Sequence, residues 1–174
     1  MKADADIVVN VQGDAPLIPP WVIGAVATTM KADPALQMAT PAVRMTPETE
    51  QRFRETKAAG AVGGTTVVFA RNMDALYFSK TVLPLQRHPE AGTPVFQHIG
   101  LYGYRTDTLR RIVSLEPSPL ERAESLEQLR ALENGIPIRV VEVDYRGRSA
   151  WSVDSRDDAG VVAGIIAREG ELVS

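Results

Sequence analysis

The sequence predicts an α/β fold built on a mixed, mostly parallel sheet with an antiparallel insertion. Three observations carry that prediction. Short β-branched runs alternate with stretches of helical spacing, the pattern of strand-helix-strand units. Two adjacent strand signals near the middle, 65–70 and 75–79, sit too close together for a helical crossover and read as a hairpin-like pair. A proline-bearing polar loop then separates them from the next strand, so the centre departs from a clean Rossmann pattern. No GxGxxG or Walker A run occurs.

Taken in order, Ile7-Val8-Val9-Asn10-Val11 is a buried strand ended by Gly13. Trp21 to Lys31 follows as a helix, with Val22, Val26 and Met30 four apart on one face and Pro20 in the first turn. Met38 to Met45 is extended, Pro47 to Thr56 is a short polar helix or turn, and Thr65 to Ala70 and Ala75 to Ser79 are strands. Pro84 to Pro94, with three prolines and a glycine, is an exposed loop. Ile99 to Arg105 is a strand carrying two tyrosines and two glycines, and Thr106 to Leu115 is helical. Ser118-Pro119-Leu120-Glu121 makes a capping box with proline at the first helical position, opening a helix expected to run to about Glu133 before Asn134-Gly135. Ile138 to Val143 is a late strand, Trp151 to Asp154 is extended, and a last helix starts near Ser155. There is no internal repeat, and 174 residues make one domain over 1–174.

Composition excludes several classes. The net charge is −3 with both signs scattered, so no basic face is offered to nucleic acid or anionic lipid. Cysteine is absent, which removes disulfides and thiolate sites. With two histidines, a zinc site would need carboxylates for most ligands. No apolar stretch of about 20 residues and no basic-apolar leader at Met1 occurs, so a soluble cytoplasmic protein is the expectation.

Four clusters could carry chemistry. Asp14 follows the first strand and Gly13, where open α/β sheets place ligands, and a carboxylate there can hold a hard cation. Taken alone, the segment reads first as a plain turn, with Asp14 bonded to nearby backbone N–H groups. Asp154, again between a strand and a helix, reads either as a second such carboxylate or as a helix cap. Alternation along Phe96 to Arg105 puts His98, Gly100, Tyr102 and Tyr104 on one face, suited to a polyhydroxylated ligand or to an ordinary half-exposed strand. Leu126 and Leu129 supply the core stripe of the capped helix, which leaves Glu127 and Gln128 on a polar or boundary face. Trp21 and Trp151 read as packing residues, and His88 as an exposed loop side chain.

Order and wording make these motifs more specific together than singly. Val11-Gln12-Gly13-Asp14, Ala75-Leu76-Tyr77-Phe78-Ser79-Lys80, Gly100-Leu101-Tyr102-Gly103-Tyr104-Arg105, Pro117-Ser118-Pro119-Leu120-Glu121, Leu126-Glu127-Gln128-Leu129-Arg130 and Val153-Asp154 follow one another across nearly the whole chain. That series resembles the 3-deoxy-manno-octulosonate (KDO) cytidylyltransferases. The resemblance implies a Rossmann-like fold of the nucleotide-diphospho-sugar transferase type and transfer of CMP from CTP to KDO with release of pyrophosphate. It also implies magnesium as cofactor, a product used in lipopolysaccharide synthesis, and a homodimer. By resemblance Asp14 and Asp154 are the catalytic, magnesium-binding carboxylates. Gln12 lies at the sugar site, and Lys80, His98, Tyr102, Glu127 and Gln128 contact the substrate.

The sequence also departs from that family. Lys80 stands where an arginine is usual, keeping the charge and losing the bidentate fork. Ala15 replaces an acidic residue, and Asp154-Ser155-Arg156-Asp157-Asp158 replaces Asp-Thr-Pro-Glu-Asp. The family's Arg-x-Pro-Gly-Lys type of loop, which embraces the triphosphate, does not occur in the 174 residues. The expectation is therefore an N-terminally truncated family member. Two alternatives accompany the KDO reading: an inactive remnant or dimerisation half that keeps the sugar site, and a cytidylyltransferase for a related sugar acid.

Overall fold

The β-branched runs become strands and the four-spaced apolar residues become helix faces. The computed structural model of the chain describes residues 5–61, 63–88, 92–151, 153 and 156–172. Its strands are β1 (Ile7–Val11), β2 (Met38–Arg44), β3 (Thr65–Phe69), β4 (Ala75–Ser79), β5 (Phe96–His98), β6 (Leu101–Arg105) and β7 (Ile138–Glu142). Its helices are α1 (Pro20–Ala32), α2 (Pro47–Ala58), α3 (Thr106–Val113), α4 (Pro119–Glu124), α5 (Gln128–Glu133) and α6 (Arg156–Glu169).

The strands join in a seven-stranded sheet of order β1-β6-β2-β5-β3-β4, with β7 on the other side of β2. Only β2 and β7 pair in parallel; the other pairings are antiparallel. This overturns the expectation of a mostly parallel sheet. Because β6 is antiparallel to both β1 and β2, those two strands still run the same way, as a strand-helix-strand unit requires. β6 enters between the two strands and makes the neighbour of each an antiparallel one.

The sheet buries both faces. On one, α1 lays Val22, Val26 and Met30 against Ala39, Ile99 and Leu101. On the other, Met38, Ala42, Phe78, Tyr102, Tyr104, Ile138 and Val140 meet Ile112, Leu126 and Leu129 of the α3–α5 segment. Gly103 lets α1 approach, since a Cβ there would lie 2.8 Å from Val26 Cγ1 and 3.3 Å from Met30 Cγ. Arg105 holds the same helix end: its guanidinium donates to the Met30 carbonyl at 2.6 Å and to the Asp33 carbonyl at 3.0 Å. Gly103→Val is expected to destabilise the chain by about 2–3 kcal/mol through overpacking, read as a lower urea midpoint with unchanged slope.

Two further expectations change in detail. The strand predicted to begin at Ile99 begins at Leu101. Ile99 and Gly100 instead form a bulge against β2, where His98 faces Ala42 but Tyr104 faces Met38. That register places two extra residues in the bulge. An even insertion preserves alternation, so His98, Tyr102 and Tyr104 remain on one face. The single helix expected from Ser118 to about Glu133 is two helices. Glu121 Oε2 accepts the Ser118 N–H at 3.0 Å as the capping box requires, but Ser125 adopts φ 53° and ends α4. Arg130 rejoins the pieces, donating from Nε to Glu121 Oε2 at 2.8 Å. The break turns Gln128 into the interior.

Candidate functional site

Construction starts at the bulge. Leu101 N–H bonds back to the Ile99 carbonyl at 2.7 Å around Gly100, which takes these carbonyls out of the regular ladder. Thr40, a hydroxyl residue in an otherwise apolar stretch of β2, donates to the Leu101 carbonyl at 2.7 Å. Its oxygen lies 2.8 Å from His98 Nε2. Since the single hydroxyl proton is committed to Leu101, Nε2–H of His98 is the donor to Thr40, and Nδ1 keeps its lone pair. Burial, with a smaller contribution from nearby Lys80, pushes the His98 pKa down to about 3. His98 is therefore a neutral imidazole oriented by the bulge.

An aromatic strip continues from it. The His98 ring lies 4.9 Å from the Phe78 ring edge-on and 5.5 Å from Tyr102, and Tyr104 follows 6.0 Å further. Burial raises both tyrosine pKa values well above the ordinary one, and Glu127 adds to the shift in each. Glu127 is thus electrostatically in touch with this strip while remaining exposed to solvent. Gln128, next in the chain, is 5% exposed, and its Nε2 has no hydrogen-bond partner among the described residues. Burying the carboxamide corrects the expectation of a polar or boundary face.

At the sheet edge, continuing the β1–β6 register places Gln12 opposite Gly100, and Gln12 Cγ lies 3.8 Å from where a Gly100 Cβ would stand. The next turn exposes Asp14, whose carboxylate has no hydrogen-bond partner among the described residues. Val153 N–H donates to the Asp14 carbonyl at 2.7 Å, bringing the segment before α6 alongside the end of β1. Asp154 lies outside the described residues. No cluster of three or more metal-ligating side chains occurs among the described residues, so Asp14 stands there as one hard oxygen donor.

The third part surrounds Lys80. Glu124, at the end of α4, accepts from Ser79 Oγ at 2.8 Å and from Tyr77 Oη at 3.4 Å on one oxygen, and from the Lys80 N–H at 2.8 Å on the other. Glu124 and Thr40 belong to none of the sequence motifs. Thr40 carries a usable signal, a lone hydroxyl in an apolar strand; Glu124 looks like ordinary helix surface. A groove of about 670 Å³ between the end of β2, α2 and residues 92–94 contains none of the predicted residues. Its arginines are engaged by neighbours, Arg54 with Glu50 at 2.7 Å and Arg44 with Glu142 at 3.6 Å, so we do not place the site there. Trp151 is 45% exposed rather than packed, and no helix among the described residues is long and apolar enough to cross a membrane.

The fold and its side-chain geometry define an α/β protein with a buried, neutral His98 in an aromatic strip on one sheet face, an exposed Asp14 after β1, and Lys80 held through its backbone N–H by Glu124. A family model described as Cytidylyltransferase matches residues 1–140. The chain is 69% identical over 173 residues to the 3-deoxy-manno-octulosonate cytidylyltransferase of Maricaulis maris, covering 99% of this chain and 67% of that relative. It is 40% identical over 172 residues to the protein of the same name from Oleidesulfovibrio alaskensis, covering 98% and 64%. A solved structure of CMP:2-keto-3-deoxy-manno-octonic acid synthetase complexed with CTP superposes with a TM-score of 0.80 at 35% identity, over 97% of this chain and 64% of that one. The inositol-1-phosphate CTP transferase from T. maritima shares the fold, with a TM-score of 0.55 at 12% identity over 99% and 60%. The chain belongs to the 3-deoxy-manno-octulosonate cytidylyltransferase family. It spans about two thirds of the length of the relatives it matches.

Proposed function

We propose that the chain serves the transfer of CMP from CTP to 3-deoxy-manno-octulosonate, and that the residues assembled above form the sugar-acid side of that reaction. The observation that carries this reading is Gln128. A buried carboxamide nitrogen without a partner costs stability, and a ligand hydroxyl or ring oxygen would satisfy it. His98 supports it from the strand face, since the lone pair on Nδ1 can accept a hydrogen bond from a ligand hydroxyl. Tyr102, Glu127 and Gln12 extend the same polar surface, and Lys80 supplies a cation for the carboxylate of the sugar acid.

In the reaction the sugar's anomeric oxygen bonds to the α-phosphorus and gives its proton to solvent, while the bond from the α-phosphorus to the bridging oxygen breaks and pyrophosphate leaves roughly in line. Asp14, exposed and without a hydrogen-bond partner among the described residues, has the chemistry of a magnesium ligand, and Asp154 is proposed as the second. Magnesium would supply neutralisation of phosphate oxygens there. The chain's own contribution is to hold the acid, orient its hydroxyls and offset its charge. The homodimer, the cytoplasmic setting and delivery of the product to lipopolysaccharide assembly, all implied by the family, belong to the same proposal.

No loop of the Arg-x-Pro-Gly-Lys type occurs in the 174 residues, so sugar-acid binding tests this reading more directly than turnover. Gln128→Leu is expected to weaken 3-deoxy-manno-octulosonate binding roughly five- to tenfold by calorimetry. The same substitution should leave the melting temperature unchanged or raise it, because it removes an unsatisfied buried donor. Undiminished affinity in the variant, or no binding by the wild-type chain, counts against the proposal.

A further inference from the structure

Lys57, near the end of α2, is absent from every motif considered above. Its ammonium donates to the Gly63 carbonyl at 2.6 Å and to the Gly64 carbonyl at 2.8 Å, and lies 5.2 Å from the centre of the Phe53 ring. These contacts fix the position of the charge without neutralising it. An ammonium has three donors, and one is left over.

Strand register shows where that charge sits. Gly64 directly precedes Thr65, which faces His98 across β5. On the other side Thr66 faces Ser79 across β4, so Lys80 comes level with Thr65. Lys57 is therefore pinned at the end of β3 where Lys80 and His98 converge. Burial and the neighbouring Lys80 charge hold the Lys57 pKa below the usual lysine range, with Glu124 opposing. Two lysines and one carboxylate gather there beside a neutral imidazole. Glu124 spends its oxygens on Ser79, Tyr77 and the Lys80 backbone N–H, and neither ammonium has an ion pair among the described residues. The cluster keeps an excess positive charge that its own residues do not balance.

We propose that Lys57 is a second cation of the sugar-acid subsite, sharing with Lys80 the carboxylate of the ligand. This rests on the function proposed above and names a specificity-determining residue for it. Two ammonium groups give a carboxylate two donors from separate elements, which makes up for the single point of charge that a lysine offers in place of an arginine fork at position 80.

The test compares 3-deoxy-manno-octulosonate with its C1 amide, by calorimetry on the 174-residue chain. Lys57→Met should weaken binding of the acid roughly tenfold, leave the amide unchanged, and be rescued largely by Lys57→Arg. In the wild-type chain the ε-methylene NMR signals of Lys57 should shift with the acid and not with the amide, a reading that needs no variant to fold. A structural staple alone would lower both affinities equally. That result, an unchanged acid affinity, unmoved Lys57 signals, or a loss confined to CTP would each overturn the inference while the proposed function stands. A wild-type chain that binds no sugar acid would overturn both.

Discussion

Phe78→Ala should lower the unfolding free energy by about 3–5 kcal/mol, measured by urea denaturation at neutral pH. Phe78 is fully buried and sits in the cluster with Met38, Ala42, Tyr102, Leu129 and Ile138. Truncation leaves a cavity between β4 and the α5 side of the sheet, and elements as short as these have little freedom to collapse into it. The effect should reach the candidate site as well, because the Phe78 ring stands edge-on to His98 at 4.9 Å. Sugar-acid binding should therefore fall even at temperatures where the variant is fully folded. An unfolding change under about 1 kcal/mol would mean that Phe78 does not anchor this cluster.

Acid should destabilise the protein earlier than its carboxylates alone would dictate. His98 has its folded pKa lowered from 6.5 to about 3 by burial. Below pH 6.5 the unfolded chain takes up a proton that the folded chain refuses. The contribution of His98 is fully present above 6.5 and is lost as the pH falls from there towards 3. The slope approaches about 1.4 kcal/mol per pH unit. Glu121 and Glu169 have pKa values lowered from 4.5, through hydrogen bonds from Arg130 and Ser149 respectively, so their contributions are lost only below that value. The interval from pH 6.5 to 5 is consequently diagnostic. Urea midpoints should fall across it in the wild type, and His98→Gln, though less stable at neutral pH, should show a flatter profile there. Equal slopes in the two proteins would remove His98 as the cause.

Much of the architecture was legible because it is local. Val22, Val26 and Met30 declare a helix face by spacing, and Thr65 to Phe69 declares a strand by β-branching. Glu121 three residues after Ser118 declares a helix start. What periodicity does not carry is which strands become neighbours. β1 and β2 share a direction, yet nothing in either strand announces that β6 will lie between them, so the expected parallel neighbours are antiparallel ones. Ser125 was equally silent, since a left-handed serine inside an apparently continuous helical pattern is selected by the packing of α4 and α5 and not by its own propensity.

For the candidate site, Asp14, His98, Tyr102, Glu127 and Gln128 stand out by their place in the strand and helix pattern, and Gln12 and Lys80 only through the family resemblance. The sequence by itself determined the α/β class, the principal helix faces and strand runs, and the family. These depend on patterns within a few residues and on the order of motifs along the chain. Tertiary structure decided the antiparallel sheet, the neutral His98 held by Thr40, the orphaned Gln128 nitrogen and the meeting of Lys57 with Lys80. Each of those depends on groups from separate elements coming within a few ångströms, where burial and unbalanced charge act, and distance along the chain does not encode that proximity.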